Sequence, residues 1–263
     1  MNPRIIIIGI VFIITGCAPT SYVYVKANYE EKQITINKVL IMVEYLDIKD
    51  DFTGLWNFDE DINIVKQDEL FDIASQMLIS KGYEIADMSL KTSGFIIARN
   101  FLAEHYINRE LQPHVIAPPY IVRSVNLDNA NIQGLEVLLA ELNRPISPVM
   151  SDLRSYITNN YKEQMAAINI SNDTAILIIQ SYKPRVSAFA NIDIGFSSSS
   201  YGNSSYIGFG GNRLRPSSYA YFIHKGTGDV IWSNKTSLIQ VKSQENFFHE
   251  LPEKLHSIKK LSE

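Results

Sequence analysis

The sequence has almost no cysteine, since Cys17 is the only one among 263 residues. A single thiol excludes an intramolecular disulfide, a redox CxxC pair and a structural zinc site built from cysteines. The fold must therefore be stabilised by packing, without covalent cross-links between its segments.

Positive charge is also scarce. The 24 Lys and Arg residues are outnumbered by 28 Asp and Glu residues, which gives a formal net charge of −4. Nucleic-acid binding needs a basic stripe, and electrostatic attachment to anionic lipid needs a cluster of Lys and Arg. We therefore expect no nucleic-acid partner and no membrane attachment through basic residues alone.

The common catalytic motifs are missing as well. After His249-Glu250 the second His of a zinc-protease HExxH motif is replaced by Glu253, and no GxSxG elbow of a serine hydrolase occurs. The glycine-rich stretch 208–213 lies between two predicted strands and lacks the GK[ST] ending of a phosphate-binding loop. These absences favour a non-enzymatic protein without a metal or a cofactor.

What the chain does have is an export signal. Arg4 precedes the apolar run 5–14, which is too short to span a bilayer core of about 30 Å. The sequence Ile14-Thr15-Gly16-Cys17 that ends this region resembles a bacterial lipobox. The resemblance implies that residues 1–16 are a signal peptide cleaved after Gly16, and that Cys17 becomes an acylated N-terminus. Because two or more acyl chains anchor a protein stably, we expect the membrane to be its first partner.

The residues after the cysteine bear on location. Ala18 stands where the retention signal of inner-membrane lipoproteins has Asp, so the resemblance implies the outer membrane, facing the periplasm. Residues 17–37 are predicted to be a lipidated tether, part of which can pair as an edge strand because Val23 and Val25 alternate with other residues.

Residues 38–263 are predicted to form a single α/β (α+β) domain with a mixed, largely antiparallel sheet covered by helices. The run 38–48 is rich in branched apolar residues and predicts a buried strand. Asp68 is predicted to cap a helix that stops at Gly82, before a strand at 83–88. Further predicted elements are a helix at 95–106, a loop at 114–120, helices that begin at Asn131 and Ser151, a core strand at 174–182, strands at 187–196, 218–224 and 230–236, and a closing helix that contains Phe247 and Ile258.

Two segments have candidate binding chemistry. The acidic residues between 47 and 61 offer oxygen ligands for Ca²⁺, although they lack DxDxDG spacing, and a solvated acidic loop is the alternative. The Gly/Ser/Tyr-rich hairpin at 197–215 has the composition of recognition surfaces, and a hairpin without a binding role is the alternative.

Two patterns resemble known envelope lipoproteins. One is the step Lys81-Gly82-Tyr83-Glu84-Ile85 at the end of the predicted strand–helix–strand unit. The other is the hairpin 219–233, in which Lys225-Gly226-Thr227-Gly228-Asp229 precedes Trp232. This order is similar to lipoproteins of the curli-secretion type and to relatives with a TolB N-terminal-like domain. The resemblance implies a periplasmic assembly or accessory protein, and it defines no catalytic residue. From its position in the hairpin we expect Trp232 to pack across the sheet.

The sequence therefore predicts a lipid-anchored, non-enzymatic cell-envelope lipoprotein that presents a protein-binding surface, as an accessory to secretion, transport or surface assembly. Self-association into a homo-oligomer is an open alternative by analogy with curli-type pores. Two other hypotheses stay open: a lipid-anchored hydrolase of envelope polymers, and a small-ligand or Ca²⁺-binding module built on the acidic loop 47–61.

Overall fold

Ten strands form one mixed sheet in the computed structural model, which describes residues 21–27, 29–30, 35–50, 55–95, 102–143, 160–185, 193–199, 202–208, 217–236, 247–248 and 251–254. The strands in chain order are β1 (Ser21–Val25), β2 (Lys38–Asp50), β3 (Trp56–Asp59), β4 (Glu84–Ser93), β5 (Ala103–Ile107), β6 (Glu110–Ile116), β7 (Ile121–Val125), β8 (Thr174–Arg185), β9 (Asp193–Ser199), β10 (Gly202–Gly208), β11 (Ser217–His224) and β12 (Val230–Thr236). Of these, β9 and β10 pair with each other as a separate hairpin. The helices are α1 (Glu60–Ser80), α2 (Asn129–Asn143) and α3 (Lys162–Ala166).

β2 is the central strand. It pairs in parallel with β8 from Lys38 to Lys49, and its first half pairs in parallel with β4 on the other side. Residues 39–48 are buried, which confirms the buried strand predicted at 38–48. The parallel pairing of β2 with β4 across α1 is the strand–helix–strand unit that the sequence predicted.

The order of the strands places β1 and β6 at opposite edges. From β2 the sheet runs through β8, β11 and β12 to β1. On its other side the sheet branches, with β4 and β7 beside the first half of β2 and with β3, β5 and β6 beside its end. Six of the nine pairings described in this sheet are antiparallel, which confirms a mixed, largely antiparallel sheet.

Helices cover both faces of the sheet. On one face the apolar side of α1 packs against the odd-numbered residues of β2, in a cluster that includes Leu70, Ala74, Leu78, Val39, Ile41, Trp232 and Phe248. On the other face α2 and α3 pack against the even-numbered residues, in a cluster that includes Leu135, Leu139, Met165, Leu40, Met42 and Ile178. The predicted single α/β domain with a helix-covered sheet is therefore confirmed.

α1 begins earlier than predicted. Its N-cap is Asp59, whose Oδ1 accepts a hydrogen bond of 3.0 Å from the backbone N–H of Ile62, so Asp68 lies inside the helix. The sequence pattern failed here because Asn63 and Gln67 lie on the buried side and interrupt the apolar repeat. The C-terminal prediction is confirmed, since Gly82 has φ +85° at the end of the helix.

Three other predicted elements are corrected. Residues 103–107 form β5 instead of the end of a helix, and β6 extends into the predicted loop as far as Ile116. The N–H of Asn131 donates to Asp128 Oδ1 at 2.8 Å, so Asp128 caps α2 while Asn131 Oδ1 accepts from Asn169 N–H at 2.6 Å. A short polar side chain near a helix start therefore served a tertiary contact instead of the cap.

Several predictions fall outside the described residues. These are the signal peptide 1–16, with Gly16, together with Cys17 and Ala18; residues 96–101 of the predicted helix at 95–106; the helix start at Ser151; residues 187–192 of the predicted strand at 187–196; residues 200–201 and 209–215 of the predicted hairpin; and the closing helix except for residues 247–248 and 251–254. None of the helices in the described part of the chain has both the length and the apolar composition that crossing a membrane requires.

Candidate functional site

A surface cleft of about 390 Å³ opens between the start of α1 and the turn that joins β5 to β6. We call it the α1–turn cleft, and its lining residues are Asp59, Asp61, Ile62, Val65, Lys66, Asn108 and Arg109. The cleft lies on the branch of the sheet that ends with β6, far along the strand order from β1.

The turn side of the cleft has an unusual backbone. Asn108 and Arg109 have φ values of 50° and 66°, so two consecutive non-glycine residues are in the left-handed region. Two-residue hairpin turns of type I′ need positive φ at both positions, and Asn tolerates it better than Arg does. The Asn108 N–H donates to Asp61 Oδ2, which ties the turn to the first turn of α1.

The helix side of the cleft is aliphatic. Ile62 is 38% exposed and Val65 is 53% exposed, and residues three apart on a helix are neighbours on its surface. They belong to the side of α1 that does not face the sheet, because Leu70, Ala74 and Leu78 fill the buried side.

Charged groups surround these two aliphatic side chains. Asp59 caps α1, and Asp61 accepts the hydrogen bond from the turn, so both carboxylates already bind the protein's own backbone. Lys66 Nζ lies 2.5 Å from Glu69 Oε2. Arg109 is exposed and lines the cleft, and it forms no ion pair with another residue in the part of the chain that the structure describes.

A carboxylate–histidine pair lies beneath the cleft. Glu60 Oε2 is 2.6 Å from His105 Nε2, which links the first residue of α1 to β5. His105 is buried, and its Nδ1 has no hydrogen-bond partner among the described residues. The His114 ring lies 5.5 Å from the His105 ring in an edge-on arrangement. The pair connects β5 to the start of α1, with the Nδ1 of His105 shielded from solvent.

The acidic residues of the segment 47–61 that the structure describes do not converge on one point. Asp47 is buried, and its Oδ2 lies 2.5 Å from Arg185 Nη2. Asp59, Glu60 and Asp61 each bind a different group of the protein, as described above. No group of three or more potential metal ligands occurs among the residues that the structure describes.

The turn 225–229, which carries the resemblance to envelope lipoproteins, connects three segments of the fold. His224 Nδ1 accepts from Thr227 N–H at 3.1 Å, so its Nε2 carries the hydrogen that faces Thr35 Oγ1 at 2.8 Å. Gly228 has φ +70°, and its carbonyl accepts a hydrogen bond from Tyr161 N–H at 2.8 Å, next to α3. The turn is thus packed into the domain instead of being presented for recognition.

Trp232 is fully buried and pairs with Phe222 on β11 and with Val25 on β1. The prediction that it packs across the sheet is confirmed.

Sequence reasoning missed the cleft. Ile62 and Val65 cannot be told from core residues by composition, and the helix that contains them was predicted to begin only at Asp68. One weak signal was available: Asn108 is a residue type that tolerates the positive φ of a tight turn.

Comparison with known proteins gives no identification, because this chain matches no family model, no curated protein and no solved structure. The similarity to curli-secretion-type and TolB N-terminal-like lipoproteins therefore stays a prediction from sequence.

Proposed function

We propose that this chain is a lipid-anchored, non-enzymatic protein of the bacterial cell envelope that binds a protein partner in the α1–turn cleft. The observation that carries the proposal is the pair of exposed aliphatic side chains, Ile62 and Val65, held on a helix against a turn that is fixed by Asp61. Partner binding there would serve an accessory role in secretion, transport or surface assembly.

The cleft presents exposed aliphatic surface beside charged groups, which a partner segment can cover. Complete burial of a fully exposed aliphatic side chain contributes about 1.5–3 kcal/mol, and because Ile62 and Val65 are 38% and 53% exposed, covering both supplies about 1–2 kcal/mol in total. The groups around them are held by α1 and by the Asn108–Asp61 hydrogen bond, so little ordering is needed on binding. Arg109 lines the cleft together with Asp59 and Asp61, so a partner segment with an apolar side chain flanked by both an acidic and a basic group would be complementary to it.

A protein partner fits the cleft better than a small substrate. Sites for small ligands use a few convergent polar groups, whereas Asp59 and Asp61 already accept hydrogen bonds from this chain. The nearby His105 is shielded from solvent, so the hydrolase alternative gains no support from it.

The anchor is the second part of the proposal. The lipobox-like Ile14-Thr15-Gly16-Cys17 supports cleavage before Cys17 and acylation of that residue, and Ala18 supports the outer membrane, facing the periplasm. Metabolic labelling with a fatty-acid analogue tests this directly. The parent chain should carry the label, and the Cys17→Ser variant should lose it.

Site-specific photo-crosslinking in cells tests the cleft. A photoreactive amino acid replaces Val65, and the matched control replaces Ile79, which is 61% exposed near the other end of α1. The two positions are about 21 Å apart along the helix. We expect a discrete crosslinked product at 65 and none at 79.

A further substitution makes the result specific to the cleft. Ile62→Asp should remove the product formed at position 65, because it places a charge where an apolar contact is made. Products of the same size at both positions would contradict the proposal, as would a product that survives Ile62→Asp. A product with twice the mass of the chain would identify the partner as a second copy.

A further inference from the structure

The strand nearest to Cys17 is part of the sheet. β1 starts at Ser21, four residues after Cys17, and four fully extended residues span at most about 14 Å. The stretch 17–37, predicted as a tether, therefore leaves little slack between an acylated Cys17 and the domain.

β1 is firmly attached to its neighbour. Its five residues pair with β12 from Ser21 opposite Thr236 to Val25 opposite Trp232. The next residue, Lys26, donates its N–H to Ile231 O at 2.8 Å and places its Nζ 2.5 Å from Asp229 Oδ1. The edge of the sheet and the rest of the domain thus move as one piece.

The α1–turn cleft lies toward the opposite edge. Six steps separate β1 from β5 in the order β1-β12-β11-β8-β2-β3-β5. With neighbouring strands about 4.8 Å apart, β1 and β5 are separated by roughly 29 Å measured along the sheet.

The β1–β12 edge and the α1–turn cleft also differ in charge. β1 and β12 contain no acidic residue, and β12 contains Lys235. α1, which forms one wall of the cleft, contains five acidic residues and a single basic one, Lys66. Lys66, Lys91 and Arg123 pair with two of these acidic residues, and the remaining difference in charge favours the β1–β12 edge as the one that faces an anionic lipid surface.

We infer that the β1–β12 edge of the sheet faces the lipid surface, and that the α1–turn cleft is held on the side of the domain away from it. The inference rests on the proposed acylation of Cys17 and adds an orientation to it. The cleft then faces the periplasm. Its partners are proteins that approach from that side, not proteins embedded in the same leaflet.

Fluorescence quenching in vesicles tests the orientation. Because the acylated Cys17 has no free thiol, a single introduced cysteine can be labelled selectively. Val25→Cys on β1 and Leu111→Cys on β6 are matched positions, since the native side chains are aliphatic, 40% and 56% exposed, and on opposite edges. The lipidated protein is reconstituted in phosphatidylethanolamine–phosphatidylglycerol vesicles that contain headgroup spin-labelled lipid. Position 25 is informative because it is eight residues from Cys17, far enough to escape the membrane if the edge points away.

We expect strong loss of fluorescence for the label at 25 and little loss for the label at 111. Equal quenching at both positions, or stronger quenching at 111, would overturn the orientation while leaving the anchor intact. If the protein floats with the vesicles but neither label is quenched, the orientation is also overturned. Crosslinking through position 25 would then show whether a second copy of the chain covers the β1–β12 edge. A protein that does not float with the vesicles would refute the acylation itself, which is a separate result.

Discussion

Lys91 Nζ lies 2.8 Å from Asp68 Oδ1, and this ion pair joins β4 to α1 across the crossover. Arg123 on β7 reaches the same oxygen at 3.0 Å, so one carboxylate connects the helix to two strands. The Lys91 ammonium also lies 4.2 Å from the centre of the Phe71 ring, on the helix. The outer strand β7 is therefore fixed to the helix as well as to β4.

The first prediction concerns pH. Burial would raise the pKa of Asp68, but hydrogen bonds and positive charge from Lys91 and Arg123 outweigh it and hold the pKa below its ordinary value. A carboxylate with a lowered pKa in the folded state stabilises the fold above its unfolded-state pKa of about 3.9, and this contribution is lost as the pH falls through the folded-state pKa. Asp68→Asn should cost up to about 1 kcal/mol at neutral pH, because the site is partly exposed to solvent.

Urea unfolding at pH 7 and at pH 3 measures this difference. The cost of Asp68→Asn should shrink at the lower pH. Asp72→Asn, which changes an exposed carboxylate on the same helix, should stay within about 0.5 kcal/mol of the parent at both pH values. An equal cost for the two variants would contradict the role of the ion pairs.

The second prediction concerns the turn 225–229. A β-carbon on Gly228 would lie 2.2 Å from the backbone nitrogen of Lys162, and the φ of +70° adds strain for any other residue. Gly228→Ala should therefore destabilise the fold by more than about 2 kcal/mol. Gly82→Ala is the control, because Gly82 also has positive φ but is exposed, and it should cost only about 1 kcal/mol. Thermal unfolding of both variants would show whether the close packing, beyond the backbone angle, matters.

The third prediction concerns a buried amide. Asn63 Nδ2 donates to the backbone oxygens of Asp47 at 3.0 Å and of Asp59 at 2.7 Å, and Asn63 Oδ1 accepts from Asp47 N–H at 2.8 Å. Asn63→Leu would remove these three buried hydrogen bonds, so we expect a loss of about 2–3 kcal/mol despite the more apolar side chain. Gln76→Leu, at an exposed position of α1, should change the free energy of unfolding by less than about 0.5 kcal/mol in denaturant titrations.

The fourth prediction separates stability from binding at the cleft. Arg109→Asn removes the guanidinium group and introduces a residue type that tolerates positive φ. Its melting temperature should be equal to or higher than that of the parent, whereas the photo-crosslinked product at Val65 should decrease. A lower melting temperature would mean that Arg109 has a structural role, and an unchanged product would remove it from the binding surface.

The sequence predicted the elements whose apolar pattern and turn chemistry agree. The run that forms β2 is buried on both faces, Gly82 ends α1, and the glycine-containing turn 225–229 joins β11 to β12. In these places local preference and tertiary packing require the same residue types.

The start of α1 could not be read because tertiary contacts changed the pattern. Asn63 and Gln67 face the sheet to satisfy backbone groups of Asp47 and Thr92, so polar residues stand where a helix repeat leads one to expect apolar ones. The cleft could not be predicted from the sequence for a different reason. It combines residues 59–66 with the β5–β6 turn more than forty positions later in the sequence, and only the parallel pairing of β3 with β5 brings them together.

The ladder between β1 and β12 also decides how the domain responds to mechanical load. A pull on the N-terminal side of Ser21 along the strand axis stretches the whole ladder at once, whereas a pull perpendicular to the strand opens it one pair at a time from the Thr236 end. The domain should therefore resist tension along this strand far better than tension that peels the strand away. The direction of a force between membrane and partner then determines whether the sheet stays folded.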